Sequence, residues 1–260
     1  MSYILSLDQG TSSSRAIIFD KDGRVISNSQ IEHKQYFPQS GYVEHDPEEI
    51  YDNCVNCMKN SIEKAGLKLS DVSALGITNQ RETTIVWNKL TGKPYHNAIV
   101  WNDIRTTDIC RRISLPDKNK YRSITGLPIS SYFSLSKLIY LLETVPGLKE
   151  EADRGIAIFG TIDSYLIWKL TNGQAHKTDV TNASRTLIMN LSSLNWDMDI
   201  LNECNIPKSM LPEICPSIGP FGNIQSEDCL LGIPIMAVLG YINTFKYVTT
   251  YINPSITLFF

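Results

Sequence analysis

Three apolar stretches open the chain, YILSLD, SRAIIFD and RVISNSQIEH, and they read as consecutive strands. Lys21-Asp22-Gly23, between the second and third, carries the D-G hairpin signal. DPEEIYDNCVNCMKNSIEKAG then reads as a helix. Asp46 stands at its N-cap, Pro47 in its first turn with acids following, and Gly66 stops it. VSALGITN and TTIVWN read as strands and NAIVW as a buried one, while DIRTTDICRRI and SLSKLIYLLETV are helical by spacing. IAIFGTIDSYLIWKLTNG reads as a strand running into a helix that Gly173 ends. This order predicts a layered α/β domain with a mixed sheet and helices on its faces. No repeat, linker or low-complexity segment interrupts it.

Composition narrows the picture. The 260 residues suffice for one large domain or two small ones with a sizeable core. A hydrophobic content of 42% and a charged content of 20% are those of an ordinary globular protein. A net charge of -3 leaves no basic footprint for nucleic acid. No apolar run is long enough to span a bilayer, and residues 1–9 read as a strand and not as a signal peptide, so a cytoplasmic protein is expected. Reduced thiols are then expected for the six cysteines. Cys54-x-x-Cys57 falls inside the predicted helix and reads as structural: a redox pair would open a helix after a strand, and no second pair completes a zinc set. Asn182 and Asn190 match the glycosylation pattern, which has no use in the cytoplasm.

Candidate chemistry gathers at loops. The turn Asp8-Gln9-Gly10-Thr11-Ser12-Ser13-Ser14-Arg15 joins the first two strands. Small residues there leave backbone N–H groups in a nest that binds anions, and the hydroxyls add donors. Asp8 at the strand end suits a hydrated Mg²⁺, and Arg15 suits a phosphate. A polar hairpin with no ligand is the plainer alternative. Neither G-x-x-x-x-G-K-[ST] nor G-x-G-x-x-G occurs. Further on, Arg81 and Glu82 close one strand, Trp101 closes another, and Tyr132 precedes a helix. A fixed Arg–Glu pair, a phenol and an aromatic wall suit a small polyol whose hydroxyls are bound one by one. A solvated charge pair and two core aromatics are the competing reading.

Together, LDQGTSSSR, GYVEHDPEEI, GITNQRETTIVW, NAIVW, GLPISSYFS, FGTIDSYLIWKLT, TDVTNASRT and IPKSMLPEI resemble the FGGY carbohydrate kinase family, and within it the kinases of glycerol. The resemblance runs from about residue 3 to Gly240. It implies a ribonuclease-H-like domain, shared with actin and hexokinase, with helices on both faces of a mixed sheet. It implies ATP-dependent phosphorylation of glycerol to sn-glycerol 3-phosphate with Mg²⁺. By position, Thr11, Ser12 and Ser13 would contact the ATP phosphates with Arg15 beside them, and Asp8 would lie near the metal. Arg81, Glu82 and Tyr132 would hydrogen-bond glycerol, and Trp101 would pack against its carbons.

The pattern breaks at the end. Tyr241 stands where the family places an Asp that acts as general base. A phenol with a pKa of about 10 is a poor base near neutrality, and losing such a base typically costs about 10²–10⁴ in rate. Residues 1–240 are therefore expected to be the family's N-terminal domain, with the second domain absent and residues 241–260 a divergent tail. The activity of this chain is expected to be impaired. The segment SEDCLLGIPI lacks the glycine- and arginine-containing loop through which some bacterial relatives bind fructose 1,6-bisphosphate, so no such control is expected. The alternatives are another FGGY sugar kinase and a non-catalytic chain that binds glycerol or pairs with full-length kinase. Family members are often oligomers, which makes a homo-oligomer a further expectation.

Overall fold

The computed structural model describes residues 3–240; Tyr241 and the expected tail lie outside the described residues. β1 (Tyr3–Gln9), β2 (Ser13–Phe19) and β3 (Val25–Glu32) form an antiparallel meander, followed by β4 (Glu44–His45), α1 (Pro47–Lys64), β5 (Val72–Asn79), β6 (Ile85–Asn88) and β7 (Ala98–Ile99). Next come α2 (Thr107–Ile113), α3 (Arg122–Thr125), α4 (Ser134–Thr144) and α5 (Leu148–Asp153). Then follow β8 (Ala157–Gly160), α6 (Ile162–Leu170), β9 (Lys177–Asp179), α7 (Val180–Ala183), β10 (Met189–Asn190), β11 (Asn195–Trp196) and α8 (Met198–Glu203). β12 (Glu213–Cys215), β13 (Ile218–Asn223) and β14 (Pro234–Gly240) end the described chain.

The main sheet has the order β13-β14-β5-β1-β2-β3. It is mixed: β14, β5 and β1 are parallel, while β2 and β13 run against their neighbours. The predicted layered α/β fold is thus present. Among the described residues, α1 and α6 pack on the same face of the sheet. α1 (Ile50, Cys54, Met58) and α6 (Tyr165, Leu166) share a single core with Leu5, Leu7, Leu75 and Ile77. Handedness accounts for this. The crossovers β3 to β5 and β5 to β14 move the same way across the sheet, and right-handed crossovers in one direction put their helices on one side. The alternate residues Ile4, Ala74, Ala237 and Leu239 form a smaller cluster on the opposite face.

α1 forms as its sequence dictates. Asp46 accepts from the Glu48 N–H at 2.9 Å, Pro47 and two glutamates occupy the first turn, and Gly66 leaves with φ 66°. Its apolar stripe of Ile50, Cys54, Met58 and Ile62 recurs at helical spacing and packs on β2 and β3. Burying Ile50 or Met58 contributes about 1.5–3 kcal/mol each, and Met58→Ala would cost about 2–5 kcal/mol. Cys54 and Cys57 point into this core and are free thiols. Their Sγ atoms donate to Ser14 Oγ and Ser14 O, and burial pushes the Cys54 thiol up to about 12, away from thiolate chemistry.

Between β5 and β14 the chain builds a second core from α4, α5, α8, β6 and β8. The helix expected from Asp103 starts only at Thr107. Asp103 is buried, accepts from the Val43 N–H at 2.7 Å and pairs with Arg105, so its carboxylate holds residues 103–105 out of the helix. Asn182 is also buried, bonded to Asn79 and Asp179, and is not a glycan acceptor in this fold.

Candidate active site

Three parallel strands end side by side: Gln9 of β1 pairs with Asn79 of β5, which pairs with Gly240 of β14. Beyond carboxyl ends of strands is where open α/β sheets place ligands. A cleft of about 400 Å³ opens there, lined by Asp8, Thr11, Arg81, Glu82, Trp101 and Tyr132, with Gly10 and Gln80 between them. Four separate stretches of the sequence therefore converge on one space.

The opening turn is braced from below. Gly10 N–H donates to Ser13 O at 2.8 Å. The Gly10 carbonyl accepts from the side-chain amides of Gln9 and Gln80, and the Thr11 carbonyl from His33 Nε2 and Gln35 Nε2, both at 2.9 Å. These bonds assign the His33 proton to Nε2. His45 likewise donates from Nε2 to Gln35 Oε1 at 2.7 Å while its Nδ1 faces the Gln80 amide. Burial pushes both imidazoles down, His45 to about 3, so both are neutral near pH 7. Because C=O and N–H of a trans peptide point oppositely, tethering these carbonyls turns the Thr11 and Ser12 N–H groups away from the brace. Ser12 is exposed, and Ser13 Oγ accepts from Gln30. Arg15 is exposed on β2, opposite Asp8 in the register, and stands outside the lining of the cleft.

Asp8 is the candidate metal ligand. Its Oδ1 is buried without a partner among the described residues, as is the Oγ1 of Thr78, its register partner on β5. Burial raises its pKa, and Arg15 opposes that rise. An orphaned carboxylate oxygen at a cleft fits a cation that keeps most of its own water, as Mg²⁺ does.

Glu82 adopts φ 61°, which costs a non-glycine residue about 1–2 kcal/mol and persists only where its surroundings enforce it. Thr83 N–H donates back to Arg81 O at 2.7 Å, and the Glu82 carbonyl accepts from Ser134 Oγ at 3.0 Å. This turn parts the two neighbouring side chains, so the expected Arg81–Glu82 pair does not form. Glu82 Oε1 instead accepts from Arg185 Nε at 2.6 Å, and that guanidinium lies 5.7 Å from the Tyr132 ring and 5.0 Å from Phe133. Burial raises the Glu82 pKa, while Arg185, Arg81 and Lys137 oppose it. Arg81 extends over Gly240, where an added Cβ would lie 2.7 Å from Arg81 Cγ; only glycine leaves it that space. Trp101 Nε1 donates to Thr11 Oγ1 at 3.0 Å, and its ring is 5.4 Å from Tyr132. Trp101 thus joins the opening turn to Tyr132.

Sequence reasoning missed Gln80 and Arg185. Both lie in stretches that carry the resemblance, but a pairing across 103 residues leaves no local signal. Among the described residues no helix is long and apolar enough to cross a membrane, and no cluster of three or more metal-ligating side chains occurs.

This mixed sheet, with a polar cleft beyond the ends of its parallel strands, defines an α/β ligand-binding class of protein. The profile of the FGGY family of carbohydrate kinases, N-terminal domain, matches residues 3–240, and the chain belongs to that family. It is 50% identical to a glycerol kinase of Petrotoga mobilis over 92% of this chain and 48% of that protein. A glycerol kinase 2 of Thermotoga maritima is 48% identical over 92% of this chain and 49% of that protein. The crystal structure of Plasmodium falciparum glycerol kinase with ADP superposes with a TM-score of 0.87 at 37% identity, over 92% of this chain and 48% of that one. The chain spans about half the length of the curated relatives it matches.

Proposed function

We propose that this chain supplies the N-terminal side of a site that phosphorylates glycerol from ATP. The convergence of Asp8, Thr11, Arg81, Glu82, Trp101 and Tyr132 on one cleft carries this reading. Arg81 donates to a glycerol hydroxyl, the Glu82 carboxylate accepts from another, the Tyr132 phenol serves a third contact, and the Trp101 ring covers the carbons. Each hydroxyl missing from a competing substrate would leave a buried polar group unpaired. The Thr11 and Ser12 N–H groups, with the hydroxyls of Thr11, Ser12 and Ser13, hold the terminal phosphates, and Arg15 adds charge beside Asp8. Asp8 holds hydrated Mg²⁺, which neutralises charge on the phosphate oxygens when bound. The chain's own part is positioning and exclusion of water.

Cytoplasmic residence and self-association, or pairing with a full-length kinase, belong to the same reading. Size-exclusion chromatography of the purified chain tests the association. The deciding experiment measures glycerol binding by calorimetry and ATP-dependent formation of glycerol 3-phosphate, with a full-length glycerol kinase alongside. Glycerol binding that xylulose and gluconate fail to match is expected. No glycerol binding, or preference for either sugar substrate, sinks the proposal. Turnover comparable to the full-length control would show that Tyr241 leaves the reaction intact.

A further inference from the structure

Lys137 lies in the first turn of α4 and is fully buried. A cation is disfavoured there twice over: by burial, and by the partial positive charge of a helix N-terminus. The acids that act on it are committed elsewhere, Asp103 to Arg105 and Glu82 to Arg185. Lys137 Nζ donates instead to three successive main-chain carbonyls, those of Ser131, Tyr132 (3.2 Å) and Phe133 (3.4 Å). All three ammonium protons are thereby used. The side chain folds back toward the N-terminus, as helical side chains do, and so reaches the loop that precedes its own helix. That loop carries Tyr132 into the cleft.

We propose that Lys137 is a positioning residue of the polyol pocket: its ammonium clamps the Ser131–Phe133 carbonyls and so sets where the Tyr132 phenol meets substrate. The proposal rests on the reading of Tyr132 as a glycerol contact. Burial pushes Lys137 down to about 8. Asp103, Glu82 and Cys110 face it and favour the charged form, Arg105 opposes that form, and Arg81 and Arg185 act on Glu82 from the other side. The clamp is charged and complete below that value and is lost as pH rises through it. A charge-assisted hydrogen bond of this kind corresponds to about tenfold or more in affinity.

The test is calorimetric glycerol affinity of the full chain, wild type against Lys137→Met and Lys137→Arg, from about pH 7 to about pH 9. Wild-type affinity should fall about tenfold across that range. K137M should be weaker by about tenfold at the lower pH and flat with pH, and K137R, which stays charged, should also lose the pH dependence. Thermal midpoints are measured alongside, because a purely structural lysine would lower the midpoint and leave the pH profile as in wild type. K137M binding within about twofold of wild type, or keeping its pH profile, overturns the proposal. If wild type binds no glycerol at any pH, the substrate reading fails, and the clamp is then read from amide NMR shifts of Tyr132 and Phe133. A shared midpoint near 8 that K137M abolishes supports the clamp, and its absence overturns it.

Discussion

Replacing Arg185 by leucine removes the guanidinium that holds the Glu82 carboxylate. In the folded chain that carboxylate side chain is 3% exposed and Arg185 is 27% exposed. Breaking a fully buried ion pair costs about 3–5 kcal/mol, because it strands the remaining charge. Water reaches the Arg185 side of this pair, which reduces the expected loss to about 2–3 kcal/mol. At about 2–4 °C per kcal/mol for a chain of this size, the thermal midpoint should drop by about 4–12 °C. The loss should also depend on pH. Burial already raises the Glu82 pKa above its ordinary value of 4.5, and without Arg185 it rises further. A carboxyl whose folded pKa exceeds its unfolded one contributes stability that is present below the unfolded value and lost as pH rises through the folded one. The R185L deficit should therefore be largest near neutrality and narrow toward acid. Adding Glu82→Gln removes the stranded charge, so the double variant should recover much of the loss. Thermal and urea denaturation, each followed by circular dichroism at acidic and neutral pH, measure these quantities. A deficit independent of pH, or single losses that simply add in the double variant, would refute the reasoning.

Asp163 is buried, accepts from the Thr178 hydroxyl at 2.7 Å, and is pushed up to about 7 by burial and by Asp179. Its stabilising protonated form is therefore lost as pH rises from the ordinary carboxylate range through about 7, and wild type should lose about 2–4 kcal/mol relative to Asp163→Asn over that range; parallel denaturation curves would contradict this. In Gly160→Ala the new methyl meets the Ser164 Cβ and lies 3.0 Å from Trp87 Cη2, so a loss of about 1–3 kcal/mol is expected by thermal denaturation. Trp101→Phe keeps the ring beside Tyr132 and deletes the donor to Thr11 Oγ1, so binding of magnesium tripolyphosphate should weaken about threefold to tenfold with a smaller effect on glycerol; equal effects on both would break the assignment of the two sides. Fructose 1,6-bisphosphate should leave the thermal midpoint unchanged, since Glu227 and Asp228 stand in the segment before β14, and a clear upward shift would show a site there.

What the sequence made legible, and what it hid, divides by range. The Asp46 cap, the Pro47 start and the Gly66 stop of α1 are decided within a few residues, and all are as read. The meander and the positions of Arg81, Trp101 and Tyr132 at element ends are local in the same sense, because turn chemistry and periodicity act over one element. Convergence of those residues on one cleft was legible only through the resemblance, since strand order is not written in any segment. The hidden part is the polar interior. Arg81 next to Glu82 looks like a solvated pair, yet the positive φ at Glu82 separates them and sends the carboxylate to Arg185. Gln35, His45 and Gln80 look like ordinary surface residues, yet they brace the carbonyls of Gly10 and Thr11. Lys137 fills a polar position of an amphipathic pattern, yet it is buried against three carbonyls. These residues share a physical cause for being misread. Burying a polar group is unfavourable unless every partner is in place, and the partners here come from distant parts of the chain. The side chains that hold the cleft in shape are therefore those for which composition and periodicity favour the solvated alternative, and only the folded arrangement separates the two.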